Sequence, residues 1–343
     1  MFNLENITRK NILEMKPYSS ARSEFKGQAD VFLDANENPN ETLLNRYPDP
    51  LQIQLKTEIA KLKEVSVNQI FLGNGSDEAI DLLYRAFCEP GLDNAYIFPP
   101  TYGMYTVSAA INNVQVVELP VDSDFQLPSF NSIKDSLDTA GLLFICSPNN
   151  PTGNVIDRKI IQEYANNFQG LIVVDEAYID FSNEKSNISL LTDLPNLVVL
   201  QTFSKAWGLA GARLGMAFAS KEIINTLNKI KPPYNVNTLS QKEALLALKN
   251  ASETQLQIES IIEEREKLIL QLSQLNNVVQ IFPSEANFLL VEFKNAENVF
   301  KILIEKGIIV RNRTKQVNGC IRITIGTAQE NALLLNTLKD IQG

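Results

Sequence analysis

The sequence predicts an α/β fold. A large domain is built on a mostly parallel central sheet sandwiched by helices. A smaller α+β domain follows, and an N-terminal arm joins the two. Three observations predict it. The runs "GLLFICSP", "GLIVVDEAYIDF" and "NLVVLQTFS" are continuously apolar, as strands covered on both faces are. Helical patterns separate the runs, which calls for parallel crossovers. After about residue 240 the pattern changes to one long amphipathic helix and short alternating strands. A chain of 343 residues is long for one domain and suits this division.

The elements follow in order. Residues 1–30 are polar with scattered apolar positions and read as an arm. Residues 31–240 form the large domain and 241–343 the small one. "SDEAIDLLYRAF" has apolar residues at 79, 80, 82, 83, 86 and 87, a helix with Ser76 or Asp77 at its start. "NAYIFP" and "VQVVELPV" read as strands, and 157–168 as a helix. "ETQLQIESIIEEREKLILQLSQL" repeats its apolar positions at helical spacing with a solvated charged face. "NFLLVEF", a helix near 296–306, "GIIVRNR", "CIRITIG" and a closing helix from about 328 complete the chain.

Composition removes whole classes of chemistry. The net charge of −9 disfavours nucleic acid and anionic membranes as partners, although an anionic small molecule needs only a few local cations. No apolar run reaches the length of a membrane span, and "MFNLENITRKNILEMKPYSS" has no apolar signal core, so a cytoplasmic location is expected. Cys88, Cys146 and Cys320 lie far apart beside apolar residues and read as inert buried thiols. There is no histidine. That removes Ser-His-Asp and Cys-His arrangements and His-ligated metals. Proton transfer falls to Lys, Asp, Glu, Tyr or Cys, or to a cofactor.

Three strand ends carry polar residues. "LLFICSPNNPTG" ends in Asn149-Asn150-Pro151, "LIVVDEAY" in Asp175 and Tyr178, and "LVVLQTFSK" in Ser204-Lys205. Ligands of open parallel sheets bind at carboxyl strand ends, and a carboxylate inside "IVVDEAY" is costly to bury unpaired. Singly, each has a plainer reading: Asn150 as a turn residue before proline, Asp175 as a solvated strand end, Lys205 as a surface residue. Together they fit pyridoxal 5'-phosphate. A desolvated Lys205 would form a Schiff base with its aldehyde. Asp175 would keep the ring nitrogen protonated, making the ring an electron sink. Asn150 and Tyr178 would hydrogen-bond the phenolic oxygen. Ser204, Arg213 and the turn at Gly75, Ser76 and Asp77 would hold the phosphate. "GNGSDEAIDLL" feeds a helix N-terminus, an anion site, but matches neither a P-loop nor a dinucleotide fingerprint, and a tight turn with a cap explains it as well. Lys205, once freed, would move the proton itself.

With "SPNNPTG", "VVDEAYIDF" and "TFSKAWGLAGARLG" in this order and spacing, the chain resembles the fold-type I pyridoxal phosphate aminotransferases of the aspartate aminotransferase family. "MKPYSSAR", "LDANENP", "RYPDP", "GNGSDEAIDLL", "PPTYGMY", "GIIVRNRTKQ" and "CIRITIGT" resemble the histidinol-phosphate aminotransferase subgroup. The resemblance implies a ping-pong transamination between L-histidinol phosphate with 2-oxoglutarate and imidazole acetol phosphate with L-glutamate, in histidine biosynthesis. It implies that Tyr102 stacks on the cofactor ring and that Thr202 lies beside the cofactor with Ser204 and Lys205. Tyr47 would reach the cofactor phosphate of a second subunit in a homodimer, and the arm would pack with the small domain and that subunit. Arg322 would bind the carboxylate of glutamate and, alternately, the phosphate of the other substrate, with Arg311 and Tyr18 assisting at that phosphate. From the residues alone, Arg322 faces opposite Ile321 and Ile323 on a strand, and its fork suits either anion. Two arginines on a solvated sheet face is the plainer reading. On the same scaffold, a threonine-phosphate decarboxylase and an aromatic amino-acid aminotransferase are the alternatives. A DNA-binding regulator would need more than a thirty-residue arm.

Overall fold

The computed structural model describes residues 2–19 and 30–341. Seven strands form the larger sheet: β1 (Ile70–Asn74), β2 (Asn94–Ile97), β3 (Gln115–Glu118), β4 (Leu142–Cys146), β5 (Leu171–Asp175), β6 (Leu197–Thr202) and β7 (Leu214–Ala219). Their spatial order is β1-β7-β6-β5-β4-β2-β3. All pairs are parallel except those of β7, which runs antiparallel to both β1 and β6. The cause is the connection: residues 203–213 return directly from β6 with only a single 3-10 turn, too little for the helical crossover a parallel pair needs.

The continuous apolar runs are buried on both faces, alternating between two cores. Leu143, Ile145, Ile172, Val174, Leu197 and Val199 face one core, with Ile161 and Tyr164 of the helix Arg158–Asn167. Leu142, Phe144, Leu171, Val173, Val198 and Leu200 face the other. That second core is closed by helix α1 (Ser76–Phe87), helix α2 (Met104–Ile111) and the helix Lys221–Ile230. The layers are therefore helix, sheet, helix.

The smaller sheet is antiparallel, in the order β10-β11-β9-β8, from β8 (Val278–Ile281), β9 (Phe288–Phe293), β10 (Arg311–Asn312) and β11 (Cys320–Thr324). The helices Ala251–Leu272, Ala296–Glu305 and Ala328–Asp340 cover it. Of "GIIVRNR", only Arg311 and Asn312 pair with β11. The helix Thr238–Lys249 spans the expected boundary at 240 and buries Ala244 in a core of the larger sheet. Between the sheets lies a cluster of Tyr178, Phe181, Ala206, Ile258 and Phe288. Arg265, buried there, donates to the carbonyl of Ala286 at 3.0 Å and to that of Phe181.

Arm residues 2–14 lie against the larger lobe. The Arg9 N–H donates to Ala86 O at 2.9 Å, and Lys229 Nζ donates to the carbonyls of Ile12 and Leu13. Arm residues 20–29 are outside the described residues. Among the described residues, no helix is long and apolar enough to cross a membrane.

Candidate active site

The sheet brings the polar strand ends together. Cys146 lies beside Asp175 in register, Asp175 beside Leu200, and Thr202 beside Gly215. Beyond these ends opens a cavity of about 580 Å³. Every residue expected at the site lines it except Tyr18 and Tyr47.

Asp175 forms the floor and is fully buried. Burial pushes its pKa up to about 6, against the hydrogen bonds that favour the carboxylate. Those come from Tyr105 Oη to Oδ2 at 2.7 Å and from the Ala177 N–H to Oδ1 at 3.1 Å. Tyr105 itself is held by stacking on Phe144, ring centroids 4.6 Å apart. The next residue, Glu176, is also buried and turns away from the cavity. It accepts from Ser186 Oγ at 2.5 Å, the Asn187 N–H at 2.7 Å and Gln201 Nε2 at 2.9 Å, so it anchors the turn that follows β5.

At one end of the cavity sits the N-terminus of α1. Gly75 precedes it with φ +74°, a conformation that suits glycine. A Cβ at Gly215 would overlap the backbone N of Ser76, so β7 approaches this turn as closely as its backbone allows. Arg213 reaches over the turn from a left-handed conformation, φ +52°, and pairs with Asp77 at 3.6 Å. Tyr102 Oη donates to the same carboxylate at 3.1 Å. Thr202 Oγ1 donates to Leu214 O at 3.3 Å and accepts the Ser204 N–H at 3.0 Å, which fixes the turn carrying Ser204 and Lys205. Free N–H groups at a helix start beside a guanidinium make an anion cradle.

Lys205 Nζ stands 5.6 Å from the Tyr178 ring centroid. Water reaches this side chain through the cavity mouth, yet protein surrounds the amine closely enough to lower its pKa. Burial is the larger cause and Arg322 the next, with Asp175 opposing. Burial likewise raises the pKa of the Tyr178 hydroxyl, keeping it a neutral donor.

The far wall comes from the smaller sheet. Arg322 Nη1 donates to Asn150 Oδ1, and its guanidinium lies 5.2 Å from the Phe288 ring centroid. Arg311 sits opposite Arg322 in register. Arg313 and Gln316 also line the wall. The sequence reading missed these two, and it missed Tyr105. The repeat of arginine at 311 and 313, alternate positions in "GIIVRNR", was the available signal. Tyr18 is 71% exposed and away from the cavity. Tyr47 also lies outside it, stacked on Tyr234 with centroids 4.5 Å apart.

Residues 23–338 match the family model for aminotransferase class I and II. The chain is 52% identical over 344 residues to the histidinol-phosphate aminotransferase of Parabacteroides distasonis, covering all of both chains. The chain belongs to the histidinol-phosphate aminotransferase family. The relative from Cytophaga hutchinsonii is 51% identical, over 98% of this chain and 99% of its own. In fold, the chain resembles the histidinol-phosphate aminotransferase of Sinorhizobium meliloti solved in complex with pyridoxal-5'-phosphate. The TM-score is 0.78 at 24% identity, with 86% of this chain and 82% of that one covered.

The family's donor set can be tested against this cavity, and it fits pyridoxal phosphate. An anion cradle at α1 and a buried carboxylate at Asp175 open onto one cavity, with an amine at Lys205 and a neutral phenol at Tyr178 beside them. With Asn150 Oδ1 taken by Arg322, the Nδ2 of Asn150 is left to donate.

Proposed function

We propose that this protein transfers the amino group between L-histidinol phosphate and 2-oxoglutarate, a step of histidine biosynthesis, with Lys205 as the covalent anchor of pyridoxal phosphate. The observation that carries the reading is the placement of the Lys205 amine in one cavity with Asp175 and with Arg322, in a chain that aligns end to end with histidinol-phosphate aminotransferases.

Pyridoxal phosphate, when bound, supplies an aldehyde that takes up the amino group and a protonated ring that draws electron density from the substrate Cα. The residues do the rest. Asp175 holds the ring N–H, and its ionised form is favoured once a positive partner sits against it. The Asn150 amide and the Tyr178 hydroxyl donate to the phenolic oxygen. Ser204, Arg213 and the Gly75–Asp77 turn hold the phosphate, and Tyr102 packs on the ring. Lys205, whose pKa burial lowers, carries the amine that takes the proton from Cα and returns it on the neighbouring carbon. Arg322 fixes the substrate's anionic group, a carboxylate in one half-reaction and a phosphate in the other, with Arg311 beside it. Tyr18 assists at that phosphate in the same reading.

The active unit in this reading is a homodimer. Val31, Leu33, Leu43, Leu44 and Leu51 are exposed in the same stretch as Tyr47, and a second copy covering them would receive Tyr47 at its own cofactor phosphate. A cytoplasmic location belongs to the same reading, supported by three free, buried cysteines. The division at 1–30, 31–240 and 241–343 is proposed as the domain organisation, with the helix at Thr238–Lys249 as the joint.

The test is direct. Purified yellow protein is given L-histidinol phosphate with 2-oxoglutarate, O-phosphothreonine, or phenylalanine with 2-oxoglutarate. Fast formation of glutamate from the first mixture is expected. Release of CO₂ from O-phosphothreonine, or faster turnover of phenylalanine, would replace this reading by one of the alternatives.

A further inference from the structure

The wall built by the smaller sheet holds three guanidiniums. Arg311 on β10 is paired in register with Arg322 on β11, so both side chains leave the same face of the sheet. Arg313 follows two residues after Arg311, and its backbone N–H is bonded to Cys320 O at 2.9 Å. All three line the cavity. Like charges placed across neighbouring strands repel. Of the other described arginines, Arg158 donates to Ser189 Oγ, and Arg9, Arg46, Arg85, Arg213 and Arg265 each have a carboxylate partner. Arg311, Arg313 and Arg322 have none among the described residues.

Two further facts separate Arg313 from a surface arginine. Its Nε, like that of Arg322, is buried with no hydrogen-bond partner, and buried donors are rarely left in that state. Its pKa is lowered, first by burial and then by Arg322 and Arg311, yet a guanidinium remains charged at any physiological pH. The fold therefore collects three charges that it does not neutralise.

A carboxylate brings one charge and two oxygens, which the fork of Arg322 already satisfies. A phosphate monoester brings nearly two charges and three acceptor oxygens. We infer that Arg313 is a specificity-determining residue that completes, with Arg311 and Arg322, a site for a phosphate dianion, so that phosphate is held in preference to carboxylate at one place. The name of the phosphorylated substrate rests on the proposed function; the dianion site itself does not.

The test uses the holoenzyme of the wild type, Arg313→Gln and Arg313→Lys, with folding checked by thermal melting. Each half-reaction is followed separately by cofactor absorbance, and inorganic phosphate binding is measured by calorimetry. Arg313→Gln is expected to lower kcat/KM for histidinol phosphate on the order of tenfold more than for glutamate. It should weaken inorganic phosphate by a similar factor. Arg313→Lys, which keeps the charge but not the fork, should fall between. Equal losses on both substrates, or unchanged phosphate affinity in Arg313→Gln, would overturn the inference. A wild type inert toward histidinol phosphate would sink the proposed function instead, and phosphate calorimetry would still decide the role of Arg313.

Discussion

The Tyr105 hydroxyl lies 2.7 Å from Asp175 Oδ2, in a fully enclosed part of the cavity floor. Among the described residues it is the one side-chain donor to a carboxylate that burial pushes toward its neutral form. Tyr105→Phe removes it. Asp175 then titrates higher, by about one to two pH units for a lost bond to a charged group. The sign follows from the pKa of about 6, above the ordinary 3.8. In the apo-protein, neutral Asp175 stabilises the fold fully below 3.8, and that contribution is lost as pH rises through 6. In the proposed reading cofactor binding requires the ionised form, so it runs the other way, weakening as pH falls through 6. Cofactor affinity of the apo-variant, measured against pH, should show this midpoint moved upward. An unmoved midpoint would mean that Tyr105 only fills space.

Arg322 serves both substrates in the proposed cycle, and it also orients Asn150. Arg322→Ala should lower kcat/KM on the order of a hundredfold for glutamate and for histidinol phosphate alike. Separate half-reaction rates check it. A loss confined to glutamate would show that the two anions use different residues.

The cradle at α1 depends on how near β7 comes to it. Gly215→Ala would drive a methyl into the backbone of Gly75 and Ser76, an overpacking that costs about 1–3 kcal/mol. The strain falls on the turn that forms the cradle, so the substitution should weaken cofactor binding as well as lower the apo-protein's melting temperature by a few degrees. Unaltered affinity would place the cofactor phosphate elsewhere.

Glu176 gathers donors from Ser186, Asn187 and Gln201 without touching the cavity. Glu176→Ala leaves those buried donors unmet and should destabilise the chain by about 3 kcal/mol, read by denaturant unfolding. A change within experimental error would show that the surrounding loop relaxes at no cost.

Much of this molecule was legible in its sequence, for physical reasons. Strands β4, β5 and β6 were readable because burial on both faces makes them continuously apolar. Lys205, Asp175 and Asn150 stood out because polar residues at such strand ends are costly without a purpose. Other parts lacked a local signal. Tyr105 sits in the helix Met104–Ile111 as an apolar-looking position, and only the fold brings it to Asp175. Strand β7, "LGMAFA", is short and holds Gly215 among apolar residues of ordinary appearance, and its antiparallel course depends on the length of a loop. The arm's docking on Ala86 and Lys229 joins residues far apart in sequence, and no periodicity records such a contact. Tyr18 and Tyr47 carried no pattern of their own and lie outside the cavity of the single chain.

The central claim is a covalent bond between the cofactor and one amine. Holoenzyme saturated with pyridoxal phosphate is reduced with borohydride, digested and mapped by mass spectrometry. The reduced cofactor is predicted on the peptide containing Lys205, with Lys205→Ala unlabelled and inactive. A label on another lysine, or none on protein shown to have bound the cofactor, would contradict the account.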